Sequence, residues 1–270
     1  VLLYFPSAIA VAGVAMPRRS RITVAEVPVH IIQRGNNRGA CFFADADYEL
    51  YLAHLQALAA KFECAVHAYC LMTNHVHLLL TPRKADGCAL LMKHLGQRYV
   101  QHVNRTYRRS GTLWEGRFRS CLAQSERYVL ACYRYIELNP HRAGMASHPR
   151  QYRWSSYRIN AEGMASHLIE PHDQYVRLGR RPEARHEAYR ALFREAFDEA
   201  VVNEIRAATN GGFVLGAARF QEKIAAMLGR RVTPGQAGRP PRKETERASA
   251  GPNRLQDRPM RDGSRRRKDH

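Results

Sequence analysis

The spacing of apolar residues along this chain changes several times, and the order of the changes predicts a mixed fold. "VPVHIIQRGNN" (27–37) reads as a β-branched strand ended by a Gly-Asn-Asn turn. From Asp45 to Phe62 the residues Tyr48, Leu52, Leu55 and Leu58 recur at helical spacing, with Asp45 as the expected N-cap. "CAVHAYCLMT" (64–73) alternates, Asn74 makes a tight turn, and "HVHLLLTP" (75–82) continues as a second strand, so the two predict an antiparallel hairpin. A long basic helix is expected over about 87–107, a strand over 117–124, and a helix from Ser125 to Leu138 that "NP" stops. The order β-α-β-β-α-β-α gives an α+β domain, an antiparallel sheet with helices packed on a face.

After "WSSY" (154–157) the pattern turns helical. The runs "HEAYRALFREAF" and "ARFQEKIAAMLG" are separated by "TNGGFVLG" (209–216), which reads as a loop. From residue 230 to 270 there are 13 Lys+Arg and 5 Asp+Glu among many Pro and Gly, a composition too poor in apolar residues to fold when free. The expected organisation is therefore an N-terminal extension (1–15), an α+β domain (16–158), a helical C-terminal region (159–229) and a basic disordered tail (230–270).

Charge narrows the partners. The 270 residues carry 43 Lys+Arg against 24 Asp+Glu, a net charge of +19, which favours a polyanion and nucleic acid before membrane. The opening "VLLYFPSAIAVAGVA" resembles a secretory apolar segment, but it lacks a preceding basic stretch and is too short and broken to span a bilayer. A start at Met16 and a cytoplasmic, nucleoid-associated protein are expected. The six cysteines (41, 64, 70, 88, 121, 132) include no C-x-x-C pair. Buried free thiols are expected, and a cysteine metal site is not.

"LMTNHVHLLLTP" (71–82) carries the first candidate chemistry. Side chains at i and i+2 of a strand leave one face, so His75 and His77 point together while Val76, Leu78 and Leu80 point away. Two neutral imidazoles so placed can share a metal ion, or can be polar residues on a half-exposed sheet face. In "RYVLACYRYIELNP" (127–140) Tyr135 and Asn139 are i and i+4, on one helical face. Asn139 offers a hard carboxamide oxygen to a divalent ion, and Tyr135 a phenol as candidate nucleophile at a phosphodiester. Tyr128, Cys132, Tyr135 and Asn139 share that face, so geometry alone does not choose Tyr135 over Tyr128.

Several stretches together carry a resemblance. "NHVHLLL" resembles the signature of the HUH single-tyrosine transposases, and "YIELNPHRAGM" (135–145) resembles their tyrosine helix and its exit. "MPRRSRITVAEVPVHIIQRGNNRGACFF", "GTLWEGRFRS", "FVLGAARFQEKIAAMLGRR" and "GRPPRK" resemble the branch associated with repetitive extragenic palindromes, the REP-associated tyrosine transposases. The resemblance spans roughly residues 16–243. It departs at His141, where the family pattern has an apolar residue.

The resemblance implies a ferredoxin-like HUH sheet, His75 and His77 as metal ligands, Asn139 as the third ligand, Tyr135 as nucleophile and Mg²⁺ or Mn²⁺ as the ion. It implies an endonuclease and strand transferase of DNA transposition and recombination. Such an enzyme cuts and rejoins single-stranded DNA beside imperfect hairpins, as a monomer or homodimer. The other readings are a hairpin-DNA or RNA-binding regulator with a vestigial site and an RRM-type sheet, which presents aromatics rather than paired histidines. A structural zinc protein lacks a fourth ligand at suitable spacing.

For DNA contact, "RYVQHVNRTYRRSGTLWEGRFRS" (98–120) supplies Arg98, Arg105, Arg108, Arg109, Arg117 and Arg119, with Trp114 as a candidate stacking platform unless it is core. "IIQRGNN" adds Gln33 or Arg34, of which Arg34 is the candidate for DNA contact, because the first strand is expected beside the hairpin.

Overall fold

A computed structural model describes residues 20–235. The extension 1–15, "GRPPRK" and the terminal "RRRK" lie outside the described residues. Through Pro234 the described chain belongs to one compact unit.

Five strands form one sheet in the order β2-β3-β1-β4-β5: β1 (Val29–Arg34), β2 (Cys64–Met72), β3 (His75–Pro82), β4 (Arg119–Ala123) and β5 (Val214–Leu215). β1 lies between β3 and β4, with Val29 opposite Leu80 and Arg34 opposite His75. β1 stops at Gly35, where any Cβ would run into the carbonyl of Gly39. Only glycine fits that turn.

Helices α1 (Asp45–Lys61) and α2 (Gly87–Thr106) cover one face. Val29, Ile31, Leu78 and Leu80 meet Tyr51, Leu55, Leu58, Leu91 and Leu95 in one core, each such buried leucine contributing about 2 kcal/mol. Asp45 is not the N-cap of α1. Ala44 occupies that position, and the Asp47 carboxylate accepts from the Phe43 and Ala44 amides at 2.8 and 3.0 Å, doing the capping from inside the first turn.

The opposite face is also covered, so the sheet is sandwiched rather than backed on a single face. α3 (Ser125–Glu137) lies there against Ala68, Cys70, Leu79, Cys121 and Ala123, where small side chains make room for the buried Tyr128, Tyr133 and Tyr135. Helicity breaks at Leu138 and resumes as α4 (Asn139–Arg142), because Pro140 has no N–H to continue the ladder.

α5 (Tyr157–Glu162), α6 (Asp173–Val176), α7 (Pro182–Ala191) and α8 (Glu199–Gly211) follow, and α9 (Ala218–Leu228) comes last. "TNGGFVLG" is not simply a loop. It holds the end of α8, a left-handed Gly212 (φ 65°) and the short β5. β5 runs parallel to β4 and is the exception to the antiparallel sheet. The chain stays packed beyond residue 230: Val232 is buried and its carbonyl accepts from the Val214 amide at 2.9 Å.

All six cysteines are buried and free. Among the described residues, no helix is long and apolar enough to cross a membrane.

Candidate active site

The hairpin places His75 opposite Arg34 and Met72, and His77 opposite Ile32 and Cys70, in the middle of the sheet. Their ring centroids are 4.9 Å apart. His77 is no half-exposed residue, being 2% exposed beneath α3. Burial lowers the pKa of His75 to about 4, with Arg34 adding to the effect. Burial, His75, His30 and Arg34 push that of His77 well down. Both rings are thus neutral and carry a lone pair available to a metal ion.

Tyr135 comes to these rings from α3. Its ring stands edge-on to His77 at 5.6 Å and to His30 at 5.5 Å, and it is 5% exposed. The structure thereby separates the tyrosines that sequence spacing left equivalent. The Tyr128 hydroxyl donates to Glu204 at 2.5 Å. Tyr133 points among Tyr175 and Tyr189 with its hydroxyl accepting from the His172 amide at 3.3 Å. Burial raises the pKa of Tyr135, while a hydrogen bond and charge from Arg206 of α8 and the charge of Arg142 work against the rise.

Asn139 is half-buried one turn on, and its side-chain amide donates to the Tyr135 carbonyl at 2.7 Å. That bond uses the nitrogen and leaves the amide oxygen outside it. Among the described residues no three His, Cys, Asp or Glu side chains converge as a metal site. An ion on the histidine pair would need a ligand of another type, and Asn139, one turn beyond Tyr135, is the sequence-expected candidate. The residues fit an ion in one further respect: His77 Nε2 is buried without a hydrogen-bond partner.

The DNA-contact candidates fall into separate places. Arg34, Arg117 and Arg119 line one cleft with Ile32, Glu115 and Asn210, at the end of β1 nearest His75. Arg119 donates to Asn210 at 3.0 Å. Arg98 and Arg105 are exposed on α2, on the other side of the sheet from Tyr135. Arg109 lies 5.5 Å over the Phe43 ring, and Arg108 is exposed in the turn after α2.

Trp114 is not a surface platform. It is 5% exposed, packed against Tyr99 at 6.0 Å, because burying the indole removes more apolar area from water than any exposed position would. Replacing Arg117 and Arg119 together with alanine is expected to weaken single-stranded DNA binding and to lower the salt slope by about 0.7 for each phosphate no longer neutralised. Fluorescence anisotropy across a salt series measures this, and an unchanged slope would take both arginines off the DNA.

Sequence reasoning missed His30, Arg206 and Thr209. A histidine inside the β-branched run of β1 was a visible signal. Arg206 has nothing in the sequence to mark it, and Thr209 opens the stretch "TNGGFVLG" that reads as a loop.

Residues 23–139 match the profile of the family described as Transposase IS200 like, a span containing His30, His75, His77, Tyr135 and Asn139. The segment belongs to the IS200-like transposases. Among solved structures the chain is similar to a REP-associated tyrosine transposase bound to a REP hairpin, at 13% identity over 58% of this chain and 93% of that one, with a TM-score of 0.48. It is also similar to a candidate transposase from Deinococcus radiodurans R1, at 18% identity over 47% of this chain and 97% of that one, with a TM-score of 0.32. No curated protein gives a significant match. The transposase segment ends at Asn139, so α8, which brings Arg206 and Thr209 to the site, lies outside it.

Proposed function

We propose that this chain is a metal-dependent enzyme that cuts single-stranded DNA beside a REP-like hairpin, holds the 5′ end on Tyr135 and joins it to a second strand. The observation that carries this reading is Tyr135, from the Tyr-x-x-x-Asn-Pro stretch, seated against His77 in the same chain. The palindrome-associated substrate rests on the sequence stretches around "RGNNRGACFF" and "GTLWEGRFRS".

In the cut, the Tyr135 oxygen bonds to phosphorus as the bond to the 3′ oxygen breaks. The phenol loses its proton and the departing 3′ oxygen gains one. A phosphodiester is kept, so a 3′ hydroxyl from another strand reverses the step without an outside energy source. Arg206 and Arg142 favour the phenolate that burial disfavours. His75, His77 and Asn139 would hold Mg²⁺ or Mn²⁺ through two imidazole nitrogens and an amide oxygen. When bound, the ion supplies Lewis-acid polarisation of the scissile phosphate. Arg34, Arg117 and Arg119 form a basic wall for the strand beside the histidine pair.

The test is to incubate the protein with single-stranded DNA carrying its own flanking palindromes, in Mn²⁺ or in EDTA. Denaturing gels and peptide mass then locate any covalent product. An EDTA-sensitive adduct on the peptide holding Tyr135 is the expected result. Binding without adduct across metals and flanking sequences would overturn the enzyme reading in favour of a hairpin-binding regulator.

A further inference from the structure

Behind His77 runs a chain of hydrogen bonds whose directions can be assigned one after another. It begins on α8, where the Thr209 hydroxyl lies 2.7 Å from the Ile205 carbonyl. A carbonyl only accepts, so the single hydroxyl proton goes there. Toward His30 Nδ1, at 2.9 Å, the Thr209 oxygen can then only accept, and the same holds toward the Cys121 thiol at 3.2 Å. His30 therefore carries its proton on Nδ1.

The His30 ring is fully buried against Thr209, His77 and Tyr135, none of them a carboxylate. An unpaired charge there would be costly, so the ring is neutral and Nε2 is bare. His30 Nε2 lies 3.1 Å from His77 Nδ1, with the two ring planes 3° apart. With His30 as acceptor, His77 must donate from Nδ1. A neutral imidazole with its proton on Nδ1 has a lone pair on Nε2. That atom is the buried, unpartnered one.

We infer that Thr209 and His30 are positioning residues that lock His77 in the Nδ1–H tautomer and present its bare Nε2 to the active site. Histidines that hold metals commonly donate their other N–H to a fixed acceptor, which sets both tautomer and ring orientation. Here the acceptor is a second histidine, and the group that fixes it comes from α8, outside the matched transposase segment. The C-terminal helical region is thus part of the histidine site and not only a flank to it. The inference takes its metal consequence from the function proposed above. The tautomer itself does not depend on that reading.

Two measurements on the full chain separate these. Long-range ¹H–¹⁵N spectra of the metal-free protein, with His77 assigned by substitution, report the tautomer directly. Titration with Mn²⁺ alone reports the metal. The parent and Thr209→Ser are expected to show the Nδ1–H form of His77. Thr209→Val, of similar shape but lacking the hydroxyl, is expected to show a mixture of tautomers and 10- to 100-fold weaker Mn²⁺ binding, roughly what loss of such an orienting partner costs elsewhere.

If Thr209→Val fails to fold, His30→Leu removes the acceptor at the other end and is read in the same way. An Nε2–H tautomer in the parent overturns the inference, as does a folded Thr209→Val that keeps the Nδ1–H form. A parent that shows the expected tautomer, lost in Thr209→Val, yet takes no Mn²⁺ would uphold the positioning chain while sinking the metal site.

Discussion

Tyr135→Phe is expected to abolish the covalent DNA adduct while hairpin binding stays intact. The substitution removes one oxygen and keeps the ring whose edge meets His77 and His30 at 5.6 and 5.5 Å, so the packing of α3 on the sheet is preserved. The other tyrosines of α3 are not placed to substitute. Tyr128 is tied to Glu204 on α8, and Tyr133 is turned into the cluster with Tyr175 and Tyr189. Loss of a nucleophile costs on the order of 10⁴-fold or more in comparable covalent mechanisms, which on a denaturing gel is disappearance of the band. Anisotropy with the same hairpin should return the parent affinity. A phenylalanine variant that still forms adduct would move the nucleophile elsewhere, with Tyr128 the next to test.

The order of elements from β1 to α3 was legible because each announces itself by period. The alternation in "HVHLLLTP" and the helical spacing from Tyr48 to Leu58 survive as β3 and α1. Period also sets faces within an element, which is why His75 and His77 emerge on one side and Val76, Leu78 and Leu80 on the other. It says nothing of which layer covers a face. That α3 closes over the histidines, on the side away from α1 and α2, depends on packing that local pattern does not encode.

The same limit explains the residues that were missed or misplaced. His30 meets Thr209 across 179 residues, and Thr209 sits in a stretch that reads as a loop because Gly211 and Gly212 follow it. Trp114 lies among arginines in sequence, yet its indole is in the core, since one side chain's burial is decided by neighbours such as Tyr99. β5 is two residues long, too short for alternation to show, and exists because Gly212 turns the chain back alongside β4.

The second large effect is on stability, and it centres two residues beyond the proposed nucleophile. Glu137 is fully buried on α3, accepting from Ser156 at 2.6 Å, Asn160 at 2.8 Å and Tyr189 at 2.7 Å. Burial lifts its pKa from 4.5 to about 7, outweighing the three bonds that favour the anion. The folded chain thus keeps this proton up to about pH 7, whereas the unfolded chain releases it near 4.5. Between those values raising the pH favours unfolding. The group's contribution is fully present below about pH 4.5 and is lost as pH rises through 7, on the order of 3 kcal/mol in all.

His30, His67, His75 and His77 act in the opposite sense, because burial lowers their pKa values and acid then favours the unfolded chain. Comparing the parent with Glu137→Gln cancels those histidines, since both chains contain them. Glutamine keeps the shape and cannot ionise, so the variant should gain on the parent by up to about 3 kcal/mol as pH rises from 4.5 to 8. Urea midpoints across that range measure the difference. A difference that does not change with pH would mean that Ser156, Asn160 and Tyr189 hold Glu137 as an anion in the folded chain. The junction of α3 with α5 and α7 would then be fixed by charge-assisted bonds and not by a shared proton.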